Sequence, residues 1–485
     1  MRNFTEPGNM DNTSLASQAA RSQAARAQGA HPQGPATEPS SGVTAPARRS
    51  KLPGRFARLP ELAGPGFLPL GLFARLPLAM LTVGTLTLVT AVSNSYAIGG
   101  MAAGAVGIGS AVGAPVLGSL ADRAGQRRIL LIAAVVNTLA VVALLAVAYL
   151  TPALGSVSEA AGVLVAGFLA GASCPQVGPM ARVRWMALTT RNLSEPTSTG
   201  GSRSVAANRA DLDTALSYEG TADEITFVLG PALVGVLASL VAPWLPLALA
   251  ALMTITLVPA FAVHPSQLAV APAPRKPVSG VGDSHGSART TPATDKRRRR
   301  WGWAVVAVPV LAMVFMGTFF GATQNALSAY SAEFATAEIA GILYAVMGLS
   351  SAVAALSVAF WPQRFGLSAR WVVAALAMTL LSLLLLVPAG IWPMVVVLLV
   401  LGIPVGPVMV TVFSIGGVVA PAGRMATVMT ALASGIVAGT ALGSYVAGQL
   451  AESQGPGAAF VVSMAAAAGL LLLGVIAALA LKSRP

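Results

Sequence analysis

The sequence predicts an all-α membrane protein with twelve transmembrane helices in two six-helix halves. Three observations predict it: a composition too apolar for a wetted surface, twelve separable apolar runs, and basic residues confined to one side of those runs. Of 485 residues, 55% are apolar and only 10% charged, where soluble domains carry about 25% charged residues. The mean hydropathy is +0.74. Lipid can serve as the surface of such a chain, because about 20 apolar residues in a helix cross the hydrocarbon core and satisfy their own backbone hydrogen bonds.

Residues 1–66 are rich in Ser, Gln, Ala, Pro and Gly without helical or strand periodicity, which predicts a disordered cytoplasmic tail. The tail lacks the apolar stretch and cleavage site of a signal peptide, so the first hydrophobic helix is expected to direct insertion. Six spans form the first half, residues 67–263: Phe73 to Tyr96, Gly100 to Leu120, Ile129 to Tyr149, Ala160 to Ala181, Glu219 to Val241, and Leu245 to Val263. A basic linker occupies 264–303. Six more spans fill 304–485: Ala304 to Tyr330, Ile339 to Pro362, Trp371 to Ala389, Pro393 to Ile415, Met425 to Leu450, and Ala459 to Leu481.

Charge tests this count independently, since Lys and Arg accumulate in cytoplasmic loops. With the amino terminus inside, all 30 Lys and Arg fall on the cytoplasmic side or at helix ends facing it, and both termini are expected there. The outer loops instead carry Glu159, Glu333, Glu338 and Glu452. The densest basic run, Lys296 through Arg300, precedes the seventh span and reads as a juxtamembrane cluster touching anionic lipid rather than nucleic acid.

Several classes of function are disfavoured by what the chain carries. Its single cysteine, Cys174, excludes an internal disulfide and a cysteine-rich metal site. His31, His264 and His285 lie far apart in polar segments, which leaves little support for a metal cluster or a serine-histidine hydrolase. The sequence contains no G-x-x-x-x-G-K-[ST] loop, so direct ATP drive is not expected. Neither enzyme chemistry, a cofactor nor a metal is expected.

The halves echo one another. Pro175 to Pro179 read P-Q-V-G-P in the fourth span, and Pro404 to Pro407 read P-V-G-P in the tenth. After the second span comes D-R-A-G-Q-R-R, and after the eighth Q-R-F-G-L-S-A-R sets Arg364 and Gly366 where Arg123 and Gly125 stand. Many secondary carriers are built from such repeats, with a site near mid-membrane between them.

Gly118 to Arg128 reads G-S-L-A-D-R-A-G-Q-R-R. This segment resembles the signature of the major facilitator superfamily, G-x-L-A-D-R/K-x-G-R/K-R/K, in the loop between its second and third helices. Gly118, Leu120, Ala121, Asp122, Arg123, Gly125, Arg127 and Arg128 match, and Gln126 departs. The resemblance implies that Asp122 engages the start of the eleventh helix, near Arg424 and Met425, when the cytoplasmic side is closed. A helix amino terminus carries about half a positive charge, which stabilises a carboxylate there. Arg127 and Arg128 serve that motif or simply enforce topology. A second, weaker resemblance is to the antiporter pattern G-P-x-x-G-G of the fifth helix, matched by Gly230, Pro231 and Gly235 but not by Val234. It implies export by antiport, although small residues and proline also suit ordinary close packing.

Acids inside spans are costly, so Glu219, Asp223 and Glu224 call for a reason. Read as lying in the first turns of the fifth span, they either stabilise a helix start and pair with Arg182 or Arg184, or carry a coupling proton. Glu219 and Asp223 share a face, an arrangement that suits loading and release of one proton. The resemblance further implies that the first, fourth, seventh and tenth helices line a cavity. Asn94, Tyr96, Gln176, Gln324 and Asn325 then offer hydrogen bonds, and Met313, Phe315, Met316 and Phe319 an adaptable apolar wall. Such a lining suits a neutral, lipophilic or weakly cationic small molecule. The expectation is a monomeric carrier in a plasma or inner membrane, exporting a drug-like or secondary-metabolite compound by alternating access on a proton gradient. Uptake of a neutral metabolite by the same fold is the alternative, and a transporter-like receptor a more distant one.

Overall fold

The computed structural model describes residues 54–151, 158–191, 205–270, 292–334, 339–362 and 364–482. The tail to residue 53, most of the linker, Glu338 and Arg484 lie outside them, as do the side chains of Tyr96, Lys296 to Arg300 and Lys482. Among the described residues all regular structure is helical. Twelve helices are long and apolar enough to cross a membrane: α1 (Phe67–Ser93), α2 (Ala97–Ala124), α3 (Gln126–Leu150), α4 (Ala161–Thr190), α5 (Val205–Leu240), α6 (Leu245–Val263), α7 (Ala304–Phe334), α8 (Ile339–Phe360), α9 (Leu367–Leu386), α10 (Ile391–Val419), α11 (Met425–Gln454) and α12 (Pro456–Leu479).

Two of these helices are interrupted where the sequence places proline. The α1 span consists of Phe67–Phe73 and Leu76–Ser93, separated at Ala74 and Arg75 just before Pro77. Similarly, α4 consists of Ala161–Ala172 and Val177–Arg191, with Pro175 in the gap. Proline cannot donate the backbone hydrogen bond that would carry a helix through. Each interruption places a polar side chain inside the bundle, Arg75 in α1 and Gln176 in α4.

Within each half, glycine lets paired helices approach to backbone contact. A Cβ built on Gly113 of α2 would fall on the Ala172 carbonyl of α4, and one on Gly439 of α11 would fall on the Val314 carbonyl of α7. The two halves meet along two seams, α2 with α11 and α5 with α8. On the second seam Thr221 Oγ1 donates to Ala352 O at 2.9 Å, and Ser351 Oγ donates to Glu224 Oε1 at 2.8 Å. Val228 of α5 lies against Gly348 of α8. This antiparallel register brings Gly235 level with Gly341, yet nothing stands within 4 Å of a Cβ built on either. The seam is therefore packed toward the basic end and open toward the other.

Three sequence-derived boundaries shift. The segment from residue 54 to 66, assigned to the tail by composition, instead folds into two short helices, Arg55–Arg58 and Leu59–Ala63. Leu59 is buried, and Phe67 stacks on Phe261 at 5.6 Å and meets Trp185 edge-on at 5.1 Å. Arg55 donates to the Ala359 carbonyl and lies 5.4 Å from the Phe360 ring, so this segment reaches α8 in the other half. Second, α5 begins at Val205 rather than near Glu219, because its polar first turns are matched by partners: Arg58 approaches Asp211 at 3.7 Å and Arg370 approaches Asp213 at 3.2 Å. Third, α1 ends at Ser93, and Tyr96 opens the helix Tyr96–Ala124 instead of closing the first span.

Gly113→Ala is expected to lower the melting temperature of the purified protein, since its new Cβ meets backbone that cannot swing aside. Replacing Gly235, which faces open space, by Ala should change it far less in the same detergent-melting experiment.

Candidate functional site

The signature loop closes the first seam. Asp122, at the end of α2, accepts the backbone N–H groups of Ala426 at 2.9 Å and Thr427 at 2.8 Å, and the Thr427 hydroxyl at 2.6 Å. These donors belong to the first turn of α11, where unsatisfied N–H groups and the helix dipole favour a carboxylate. Arg424 Nη1 donates to Ser119 Oγ at 3.4 Å beside it. A Cβ built on Gly118 would fall on the Thr430 hydroxyl, so glycine permits the approach. Gly125 turns the chain at φ 91, a conformation that disfavours side chains. Arg123, Arg127 and Arg128 are exposed.

Gln126, the one departure from the signature, is buried, and its Oε1 accepts from Arg184 Nε at 3.0 Å. The cation that the pattern usually places here would stand against Arg184. Arg184 also donates to Phe261 O at 2.8 Å and Ser266 Oγ at 3.1 Å and lies over the Phe261 ring at 4.0 Å. The expected pairing of Arg184 with an α5 acid is therefore absent among the described residues, because its donors are turned toward α3 and α6.

The acids of α5 separate into two environments. Glu219 and Asp223 sit well inside the helix, not in its first turns, and meet the interruption of α1. Arg75 Nη2 donates to Glu219 Oε2 at 2.6 Å, and its Nη1 donates to Asp223 Oδ1 at 2.8 Å. Trp185 Nε1 donates to the second oxygen of Glu219 at 2.9 Å, and Arg182 Nη2 to the second oxygen of Asp223 at 2.7 Å. Two arginines thus neutralise two carboxylates, and every carboxylate oxygen has a donor. Arg182 also lies 3.9 Å from the Phe413 ring of α10, so the cluster touches the other half. Glu224 differs. It is 5% exposed, Ser351 of α8 donates to it, and no cation pairs with it among the described residues.

The residues expected to line a substrate cavity are not gathered on one surface. Asn94 is exposed and ends α1 in the left-handed region at φ 52, where it acts as a helix terminator. Gln176 is buried and donates to Cys174 O at 3.0 Å, satisfying a carbonyl freed by the gap in α4. Asn325 donates to Ser444 O of α11 at 2.8 Å, whereas Gln324 is exposed. Phe315 packs on Gly469 of α12. Met313, Met316 and Phe319 are buried, the last edge-on to Phe320 at 6.2 Å. On α5, Gly230 packs on Ala79 of α1 while Gly235 faces open space, and Pro231 leaves the helix continuous. Arg75, Trp185 and Ser351 were not anticipated. Arg75 carries a signal in the sequence, a charge inside the first span that calls for an acidic partner.

A twelve-helix bundle in two halves, capped across one seam and carrying buried charge between helices, defines a multi-pass membrane protein of transporter architecture. The family model for the Major Facilitator Superfamily matches residues 67–434, and the chain belongs to that superfamily, whose members are transporters rather than enzymes. Among solved structures, the human organic anion transporter MFSD10 is similar at 18% identity and TM-score 0.57, over 84% of this chain and 98% of that one. The fucose:proton symporter of E. coli is similar at 16% identity and TM-score 0.54, over 84% and 98%. A bacterial homologue of the iron transporter ferroportin in an outward-facing state is similar at 13% identity and TM-score 0.58, over 85% and 99%. No curated protein matches by sequence.

Two outcomes follow from this geometry. Arg75→Ala leaves Glu219 and Asp223 with Arg182 as their one cation among the described residues and buried Glu219 without its own, and is expected to cost about 3–5 kcal/mol, read as a loss of folded yield and melting temperature. Asp122→Asn should slow transport while surface expression holds, since a charge at a helix end contributes up to about 2 kcal/mol. Normal turnover by that variant would reduce Asp122 to a topological marker.

Proposed function

We propose that this carrier exports a drug-like or secondary-metabolite small molecule by alternating access, driven by protons moving the opposite way. The observation that carries the reading is Glu224: a buried acid on the seam between the halves, with a hydroxyl for a partner and no cation among the described residues. Burying a carboxylate without a cation is costly, and a bound proton removes that cost. Glu219 and Asp223 belong to a neutralised structural cluster and are secondary candidates. The basic end is assigned to the cytoplasm on the positive-inside rule, which makes the state described here outward-facing. Its basic face suits anionic lipid, and nothing in the reading requires a nucleic acid, a cofactor or a second subunit.

Export is favoured by the antiporter-like Gly230, Pro231 and Gly235 on the helix that bears Glu224. The arginines beside the α5 acids, Arg75 and Arg182, are engaged by Glu219 and Asp223. That arrangement favours a neutral or weakly cationic substrate over a multiply charged anion.

Purified protein in liposomes, with an imposed proton gradient and drug-like compounds tested beside sugars and amino acids, checks the reading. Wild type should accumulate a drug-like compound against proton flow, and Glu224→Gln should still bind it but lose accumulation. Concentration of a sugar or amino acid in the direction of proton flow would instead establish uptake by symport.

A further inference from the structure

The bond between Glu224 and Ser351 joins the two halves, and its strength depends on a proton. Ser351 is 1% exposed on α8. Serines in helices commonly return their hydroxyl proton to a carbonyl of the preceding turn. Two neighbours do so: Ser350 donates to Met347 O at 3.0 Å and Ser357 to Ala354 O at 2.6 Å. Ser351 instead directs its one proton across the seam to Glu224 Oε1.

We infer that Ser351 is the positioning residue through which proton binding at Glu224 governs closure of the basic end. This rests on the proposed role of Glu224 as proton carrier. With Glu224 ionised, the bond is charge-assisted and roughly twice as strong as a neutral one. A proton on Glu224 cancels the charge, weakens the bond, and leaves Ser351 free to return to its own helix. The contacts flanking it are neutral: Thr221 with Ala352 O on one side, Val228 with Gly348 on the other. The chemistry therefore gives this point of the seam a proton-dependent strength that its neighbours lack.

The surrounding groups leave that role to Glu224. On α5, Asp223 lies next to it but is held by Arg75 of α1 and Arg182 of α4. On α8, Tyr344 stands two turns before Ser351 on the same face and is the other titratable side chain there. From α10 the side chains at the cluster are Val410 and Phe413, which carry no charge. A proton arriving from the open side thus loosens the closed end, and its loss toward the basic side restores the bond. That order of events is what exchange of protons for an exported compound requires.

The test uses the full chain with Cys174→Ala as background and spin labels at Ala124→Cys and Arg364→Cys, exposed positions on opposite halves of the basic end. Pulsed electron-spin distance measurements are made from alkaline to acid pH. The parent should lengthen as pH falls. Ser351→Ala should already populate the long distance at alkaline pH, with about a tenfold change in the closed-to-open ratio and a flattened pH response. Ser351→Thr, which keeps the hydroxyl, should behave as the parent, which separates the bond from a general loss of packing. Glu224→Gln should hold the long distance at every pH. If Glu224→Gln loses its pH response while Ser351→Ala keeps that of the parent, the role of Ser351 falls and the proton carrier stands. If Glu224→Gln itself keeps the response and still drives accumulation, the reading of Glu224 falls, and this one with it.

Discussion

Neutralisation of buried charge by Arg75 is the contact on which the amino-terminal half is organised. One guanidinium spans Glu219 and Asp223, and its Nε donates to Gly71 O at 2.9 Å in the same interrupted helix. Arg182 and Trp185 complete the set, so α1, α4 and α5 are held by polar bonds where helices in lipid otherwise rely on close packing. Removing water makes every such bond stronger and every missing partner more costly. The breaks in α1 and α4 follow from this economy of partners: irregular backbone is tolerated at membrane depth only where it is buried within protein.

Helix number was readable because lipid imposes it on composition, and the same physics underlies the expected sidedness of charge. Any helix that crosses must be long and apolar, and any arginine on the wrong side is expensive to translocate. The start of α5 escaped this logic. Its polar early turns, through Asp211 and Asp213, look like a loop until Arg58 and Arg370 are seen beside them. The short helices after residue 54 were hidden similarly, since their few apolar residues are diluted by the tail when composition is averaged. Asp122 was readable because a motif fixed both its identity and its partner.

The binding surface was not readable from residue type. Asn325, Gln176 and Asn94 each have hydrogen-bonding side chains suited to a ligand, yet Asn325 ties α7 to α11, Gln176 caps a gap, and Asn94 ends a helix. Their roles depend on helix rotation and on breaks a few residues away, which a list of spans does not contain. Gln126 shows the converse. Its departure from the family pattern carried no meaning alone and acquired one when Arg184 proved to stand against it.

The placing of Glu224 along α5 has a mechanical consequence. Asp213, bound to Arg370, and Gly235, level with Gly341 but out of contact, each lie about three helical turns from it, roughly 16 Å along the helix in opposite directions. Glu224 therefore divides this stretch of α5 into two equal arms. Each degree of tilt about that point displaces either end by about 0.3 Å on arms of that length, opening one mouth as it narrows the other. Near that point the helices part least per degree, so the bond between Glu224 and Ser351 holds the closed arrangement through small tilts and gives way only in a full swing.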